Sequence, residues 1–153
     1  MNNNNFLVIT MANSISTKYQ VLAVGIHLNE KEMVTHAIRR MGGMTTHTTL
    51  DDAVERLQNA TATYNRYLIE NKYVREDQVE KVYTHLINKG VPEKDITIII
   101  DDALPSERIS VHAFTHGDDG RILTKPYEFS QLFEMITGTT YHKQPRLETA
   151  PQQ

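Results

Sequence analysis

Ile122-Leu123-Thr124-Lys125-Pro126-Tyr127 is the stretch on which the reading of the fold turns. A short apolar strand runs into Lys-Pro. An amphipathic helix begins at once behind it, with Phe129, Leu132, Phe133 and Ile136 recurring at three- and four-residue spacing. Upstream of this unit, strand and helix patterns alternate along the chain.

Residues 19–26, Tyr-Gln-Val-Leu-Ala-Val-Gly-Ile, read as a buried strand. Asn29 is the expected N-cap of the first helix, with Glu32 as its capping-box partner. Met33, Val34, Ala37, Ile38 and Met41 form one helix face, and Gly42-Gly43 stops it. The threonine-rich residues 44–48 predict a short strand near a sheet edge. Thr49 with Asp52 caps a second helix, whose apolar face is Ala53, Val54 and Leu57. Tyr67-Leu68-Ile69 is a third strand ending at Glu70. Val79, Val82, Tyr83, Leu86 and Ile87 line a third helix, stopped by Gly90 ahead of Pro92. Ile96-Thr97-Ile98-Ile99-Ile100 has almost no polar alternation, so both its faces should be covered. Asp101-Asp102 follows directly, Leu104-Pro105-Ser106 has the form of a helix start, and residues 106–115 predict a fourth, weaker helix.

Alternating strands and helices with short links give an α/β fold with a parallel sheet and helices on both faces. Five such units suit the flavodoxin-like strand order 2-1-3-4-5. Functional groups in such sheets collect at the carboxyl ends of the strands, near the switch point between the first and third. Here those ends present Gly25, Ile26 and His27, then Glu70, then Asp101 and Asp102, then Lys125.

Composition narrows the class. The 153 residues, 39% of them hydrophobic, suffice for one globular core. A net charge of −3 gives no footprint for nucleic acid or an anionic membrane. Cysteine is absent, which excludes disulfides, thiolate metal sites and thiol catalysis. No apolar run approaches the roughly 18 residues of a membrane span, and the expected location is cytoplasmic. Residues 1–18, with polar runs at 2–5 and 13–17 around a short apolar stretch that lacks the basic flank of a signal peptide, read as a disordered N-terminal arm. Residues 139–153, with two prolines and no apolar period from Tyr141 on, read as a flexible tail or linker.

The order and spacing of these strand ends over residues 19–138 resemble the receiver domain of bacterial response regulators. The resemblance implies a phosphoacceptor pocket, and the matching positions here depart from it. The acidic pair that holds Mg²⁺ in receivers falls on Gly25 and Ile26, neither of which offers the oxygen ligand that Mg²⁺ demands. The phosphoacceptor aspartate falls on Glu70, either a built-in mimic of the phosphorylated form or simply a polar residue at a strand end. The phosphate-binding Ser or Thr aligns with Asp102, and the switch aromatic with Ile122. The lysine survives as Lys125, and in the family its bond to the following proline is typically cis. His27 is read as a capping or solvent-facing residue.

Within that pocket, Lys125 is expected to pair with Glu70 or Asp102 without metal or phosphate. The alternative leaves Lys125 solvated, with Asp101-Asp102 capping the next helix. His112 and His116, with Asp118 and Asp119 beyond, have zinc-like spacing, but Gly117 and Gly120 favour a turn with surface histidines. No phosphate-binding loop, dinucleotide fingerprint or serine elbow is present in the sequence. The reading is therefore a phosphorylation-independent receiver-like signalling module, not an enzyme, with no cofactor and no metal. The resemblance implies a face for a protein partner or a second copy, made of the fourth helix, fifth strand and fifth helix. Its residues are Ile109, Phe114, Arg121, Ile122, Tyr127, Glu128 and Gln131. The competing reading is a small Mg²⁺-dependent phosphohydrolase or phosphotransferase using Asp101, Asp102 and Glu70.

Overall fold

A computed structural model describes residues 18–59, 63–72, 75–101, 105–115 and 121–143. Its strands are β1 (Tyr19–Val24), β2 (Gly43–Thr48), β3 (Arg66–Glu70), β4 (Ile96–Asp101) and β5 (Ile122–Lys125). Its helices are α1 (Lys31–Arg40), α2 (Leu50–Asn59), α3 (Glu76–Asn88), α4 (Pro105–Thr115) and α5 (Phe129–Thr137). The strands form one parallel sheet in the order β2-β1-β3-β4-β5. The predicted order is the observed one, and the threonine-rich strand lies at the edge.

Alternation along each strand divides the core into two layers. Leu22, Val24, Tyr67, Ile69, Ile98, Ile100 and Ile122 pack with Ala53 of α2, Val79, Val82 and Leu86 of α3, and Val111 of α4. Val21, Ala23, Leu68, Ile99 and Leu123 face the other way, against Val34 and Ile38 of α1 and Leu132 and Ile136 of α5. Nearly every side chain of β1, β3 and β4 is buried, because a sheet covered on both faces has no wet side.

The first βα connection differs from the expected one. A 3₁₀ turn, Leu28–Glu30, is inserted, and α1 starts at Lys31 with Glu30 at its N-cap. The Asn29–Glu32 capping box does not form. Instead His27 Nδ1 accepts from the Asn29 backbone N–H at 3.3 Å. At α2 the expected cap is present, with Asp52 N–H donating to Thr49 Oγ1 at 3.1 Å. Of the α1 face, Val34, Ile38 and Met41 are buried, whereas Met33 is exposed.

Gly43 is required by packing. A Cβ there would lie 2.8 Å from the Tyr19 carbonyl oxygen and 2.9 Å from Ile38 Cγ2, so β2 can approach β1 and α1 only without a side chain.

The C-terminal side is tied down past α5. Tyr141, which the sequence places in the flexible tail, stacks edge-on against Phe129 and Phe133, and Arg40 lies 4.0 Å over the Phe129 ring. Tyr141 N–H donates to Glu134 Oε2 at 3.1 Å. The remainder of both predicted arms, residues 1–17 and 144–153, lies outside the described residues.

Candidate functional site

Lys125 organises the carboxyl edge of the sheet. It ends β5 in register with Asp101 of β4, and its bond to Pro126 is cis. From there its ammonium reaches across β4 and β3. Lys125 Nζ donates to Glu70 Oε2 at 2.5 Å and to both oxygens of Glu30 at 3.1 and 3.2 Å. Glu70 is one of the two partners, with Asp102, that the sequence offers for Lys125. Glu30 is the acid that sequence reasoning missed, because Asn29 and Glu32 looked like the helix start. With the 3₁₀ turn inserted, Glu30 becomes the N-cap and turns its carboxylate toward the strand ends.

Glu70 is 5% exposed. A buried carboxylate is stable only when its oxygens are paired. Its Oε1 accepts from the His27 backbone N–H at 3.1 Å, its Oε2 takes Lys125, and Lys72 Nζ lies 3.9 Å off. Partial burial on its own would lower the Lys125 pKa. Hydrogen bonds and charge from Glu70 and Glu30 outweigh it, and the pKa is raised above the ordinary lysine value. Tyr127 stands beside the group. Burial first, then the charges of Glu30 and Glu70, push its phenol up to about 12, and its hydroxyl has no hydrogen-bond partner among the described residues.

A third carboxylate supports the site at the ends of β3 and β4. Glu107, in the first turn of α4, is only 2% exposed. Its Oε1 accepts from Asn71 Nδ2 and its Oε2 from the Asp101 backbone N–H, each at 2.9 Å. One side chain thus joins the ends of β3 and β4. Sequence reading passed over Glu107, because a glutamate in a first helical turn ordinarily faces solvent.

The remaining sequence-predicted positions fall as follows. Gly25 directly follows β1 with φ +69°, in the left-handed region, and a Cβ there would meet Leu50 Cγ at 3.2 Å. Ile26 is buried against the α1–α5 layer. Asp101 is exposed at the end of β4. Asp102, His116, Gly117, Asp118, Asp119 and Gly120 lie outside the described residues. Ile122, at the switch position, is 6% exposed within the opposite layer, so its side chain is core and contributes no surface to the partner face. Phe114 is half-buried against Tyr83, at 5.4 Å between ring centroids. The Arg121 guanidinium donates to the Lys94 carbonyl. Glu128 and Gln131 form the capping box of α5. Ile109 is 74% exposed.

Among the described residues no group of three or more His, Asp or Glu is arranged to hold a metal ion, and no helix is long and apolar enough to cross a membrane.

No family model matches this chain, and no curated protein matches it in sequence. Among solved structures it is similar to the receiver domain of the sensor histidine kinase PA1611 from Pseudomonas aeruginosa PAO1, described with a magnesium ion coordinated in its active-site cleft. The TM-score is 0.56 at 15% identity, covering 79% of this chain and 98% of that one. The fold is that of a receiver domain. A magnesium ion does not fit the residues that stand here. Gly25 and Ile26 bring no side-chain oxygen, and the carboxylates of Glu30 and Glu70 already hold an ammonium that would repel a cation.

Proposed function

We propose that this chain is a receiver-like signalling module that works without phosphorylation and acts by binding another protein or a second copy of itself. The observation that carries the reading is the saturation of the pocket. The Lys125 ammonium bridges Glu70 and Glu30, so the place where receivers gather metal, phosphoryl group and lysine is filled by a closed charge cluster. A phosphoryl group arriving there would meet two carboxylates, with the Lys125 ammonium already taken up between them. Hydrolysis or transfer through a divalent ion is disfavoured on the same ground.

Output then rests on a standing surface. The face made of α4, β5 and α5 supports this through Ile109, a large apolar side chain left almost wholly in water. With Ile122 buried, the part of that face available for contact reduces to Ile109 and its exposed or half-buried neighbours Phe114, Arg121, Tyr127, Glu128 and Gln131. The test is association measured by analytical ultracentrifugation and by binding to candidate partners. Ile109→Asp should weaken association with the fold intact, and Glu70→Gln should change it far less. Loss of association with Glu70→Gln alone would make the pocket the determinant and overturn the reading.

A further inference from the structure

An open cleft of about 330 Å³ lies at the carboxyl ends of β1, β2 and β3, lined by neither Glu70 nor Lys125. It sits where the strand order reverses about β1, the position at which open parallel sheets take their ligands. Three cations line it, Lys31, Lys72 and Arg75, and no Asp or Glu does. The chain as a whole carries a net charge of −3, so this concentration runs against its overall sign. The cleft beside Tyr127, by contrast, carries two acids, Glu30 and Asp101, against one cation, Lys125.

These cations are unevenly compensated. Arg75 is held in place by Asp51 and by the Gln78 side chain. Lys72 stands 3.9 Å from Glu70, whose nearer partner is Lys125 at 2.5 Å. Lys31 makes no ion pair among the described residues. The Thr49 hydroxyl, which accepts from Asp52 N–H, keeps its own proton to donate into the cleft. The walls are apolar where they are not cationic. Leu50 is buried at the floor, and Leu28 is 78% exposed at the rim.

We propose that this cleft binds a small organic phosphate, a phosphomonoester with a single ring or sugar as its body. The phosphate oxygens would lie among Lys31, Lys72 and the Thr49 hydroxyl, with Arg75 as a fixed flanking charge. The body would rest on Leu50 and under Leu28. Charge-assisted hydrogen bonds suit a phosphate, and the volume exceeds what the anion alone would fill. The site borders the phosphoacceptor pocket at Gly25 and Ile26, is lined by neither Glu70 nor Lys125, and needs neither covalent chemistry nor metal.

Amide chemical shifts of ¹⁵N-labelled protein, titrated in parallel with inorganic phosphate, ribose 5-phosphate and ribose, test this. Saturable shifts centred on Gly25, Lys31, Thr49 and Lys72 are expected with phosphate and, more tightly, with the sugar phosphate, but not with ribose. Lys31→Gln and Lys72→Gln should each weaken binding, and together by about tenfold or more, a factor equivalent to about 1.4 kcal/mol. Either single variant carries the test if the double variant does not fold. The absence of saturable shifts with inorganic phosphate, shifts centred elsewhere, or binding unchanged in the variants would each overturn the proposal. These outcomes leave the protein-binding reading untouched, since that reading is judged by association of the Ile109 and Glu70 variants.

Discussion

Lys125 Nζ and Glu70 Oε2 are 2.5 Å apart, with the glutamate side chain 6% exposed and the lysine 21%. Removing the ammonium leaves Glu70 buried without its principal counter-charge. Lys125→Met should therefore destabilise the fold by about 2 kcal/mol, between the under about 1 kcal/mol of an exposed pair and the roughly 3–5 kcal/mol of a fully buried one. Glu70→Gln should cost less, because Lys125 retains Glu30 and the new amide oxygen can still accept from His27 N–H. Urea unfolding of the two single variants and the double variant measures both costs and their coupling. A Lys125→Met variant as stable as the parent would show that the pair contributes nothing.

Incubation with acetyl phosphate is expected to leave the mass of the protein unchanged, and beryllofluoride to give no bound fluorine resonance. Intact mass spectrometry and ¹⁹F NMR check the two arms. A phosphorylated species that disappears in Glu70→Gln would contradict the closed pocket.

High pH should dissolve the cluster. Lys125 and Tyr127 both have raised folded-state pKa values, the tyrosine at about 12. A raised pKa means stability fully present below the unfolded value and lost as pH rises through the folded one. Stability should thus decline from about pH 10 upward, the ordinary tyrosine and lysine range. Ultraviolet titration should show one tyrosinate forming near 12, absent in Tyr127→Phe. His47 acts in the opposite direction. Burial, then the nearby Lys31 charge, lowers its pKa, so its contribution holds above about pH 6.5 and fades as pH falls below.

Glu107→Ala should leave two donors, Asn71 Nδ2 and Asp101 N–H, without an acceptor, at a cost of about 3 kcal/mol. Glu107→Gln should be milder, about 1 kcal/mol. The Asn71 Oδ1 is buried with no hydrogen bond among the described residues, so an amide nitrogen at position 107 gives it a donor if Asn71 turns its group over. Equal losses in the two variants would refute this account of the bridge.

Restoring an acid at the end of β1 should not restore a metal site. Gly25→Asp places a side chain at φ +69° and brings its Cβ within 3.2 Å of Leu50 Cγ. A loss of about 1–3 kcal/mol follows from the backbone alone. Isothermal titration with Mg²⁺ should show no binding, and specific uptake would contradict the reading.

How far the site could be read from sequence depended on whether a residue's setting is local. The runs around Val21–Val24 and Ile98–Ile100 announce buried parallel strands, and Glu70 and Lys125 stand at strand ends that apolar patterning marks directly. The pairing of those two follows once the strand order is assumed. Glu30 did not follow, because one inserted turn between β1 and α1 decides whether position 30 or position 32 faces the sheet edge. Glu107 was equally hidden. Its burial depends on how α4 docks over Asn71, a contact 36 residues away in sequence. At β4, the strand extends to Asp101, which pairs in register with Lys125, so the strand-end acid seen here precedes Asp102, the position that the resemblance to receivers selects.

The reach of the Lys125 contacts has a kinetic meaning. They join residues 95 and 55 positions apart, linking the first and third βα units to the last. Contacts of such separation must close long loops before they can form. The ammonium therefore arrives only after β5 has taken its place at the sheet's edge, and until then Glu30 and Glu70 lack their principal counter-charge. Completion of the sheet and neutralisation of that corner are one event, so the cluster reports that the whole chain has assembled.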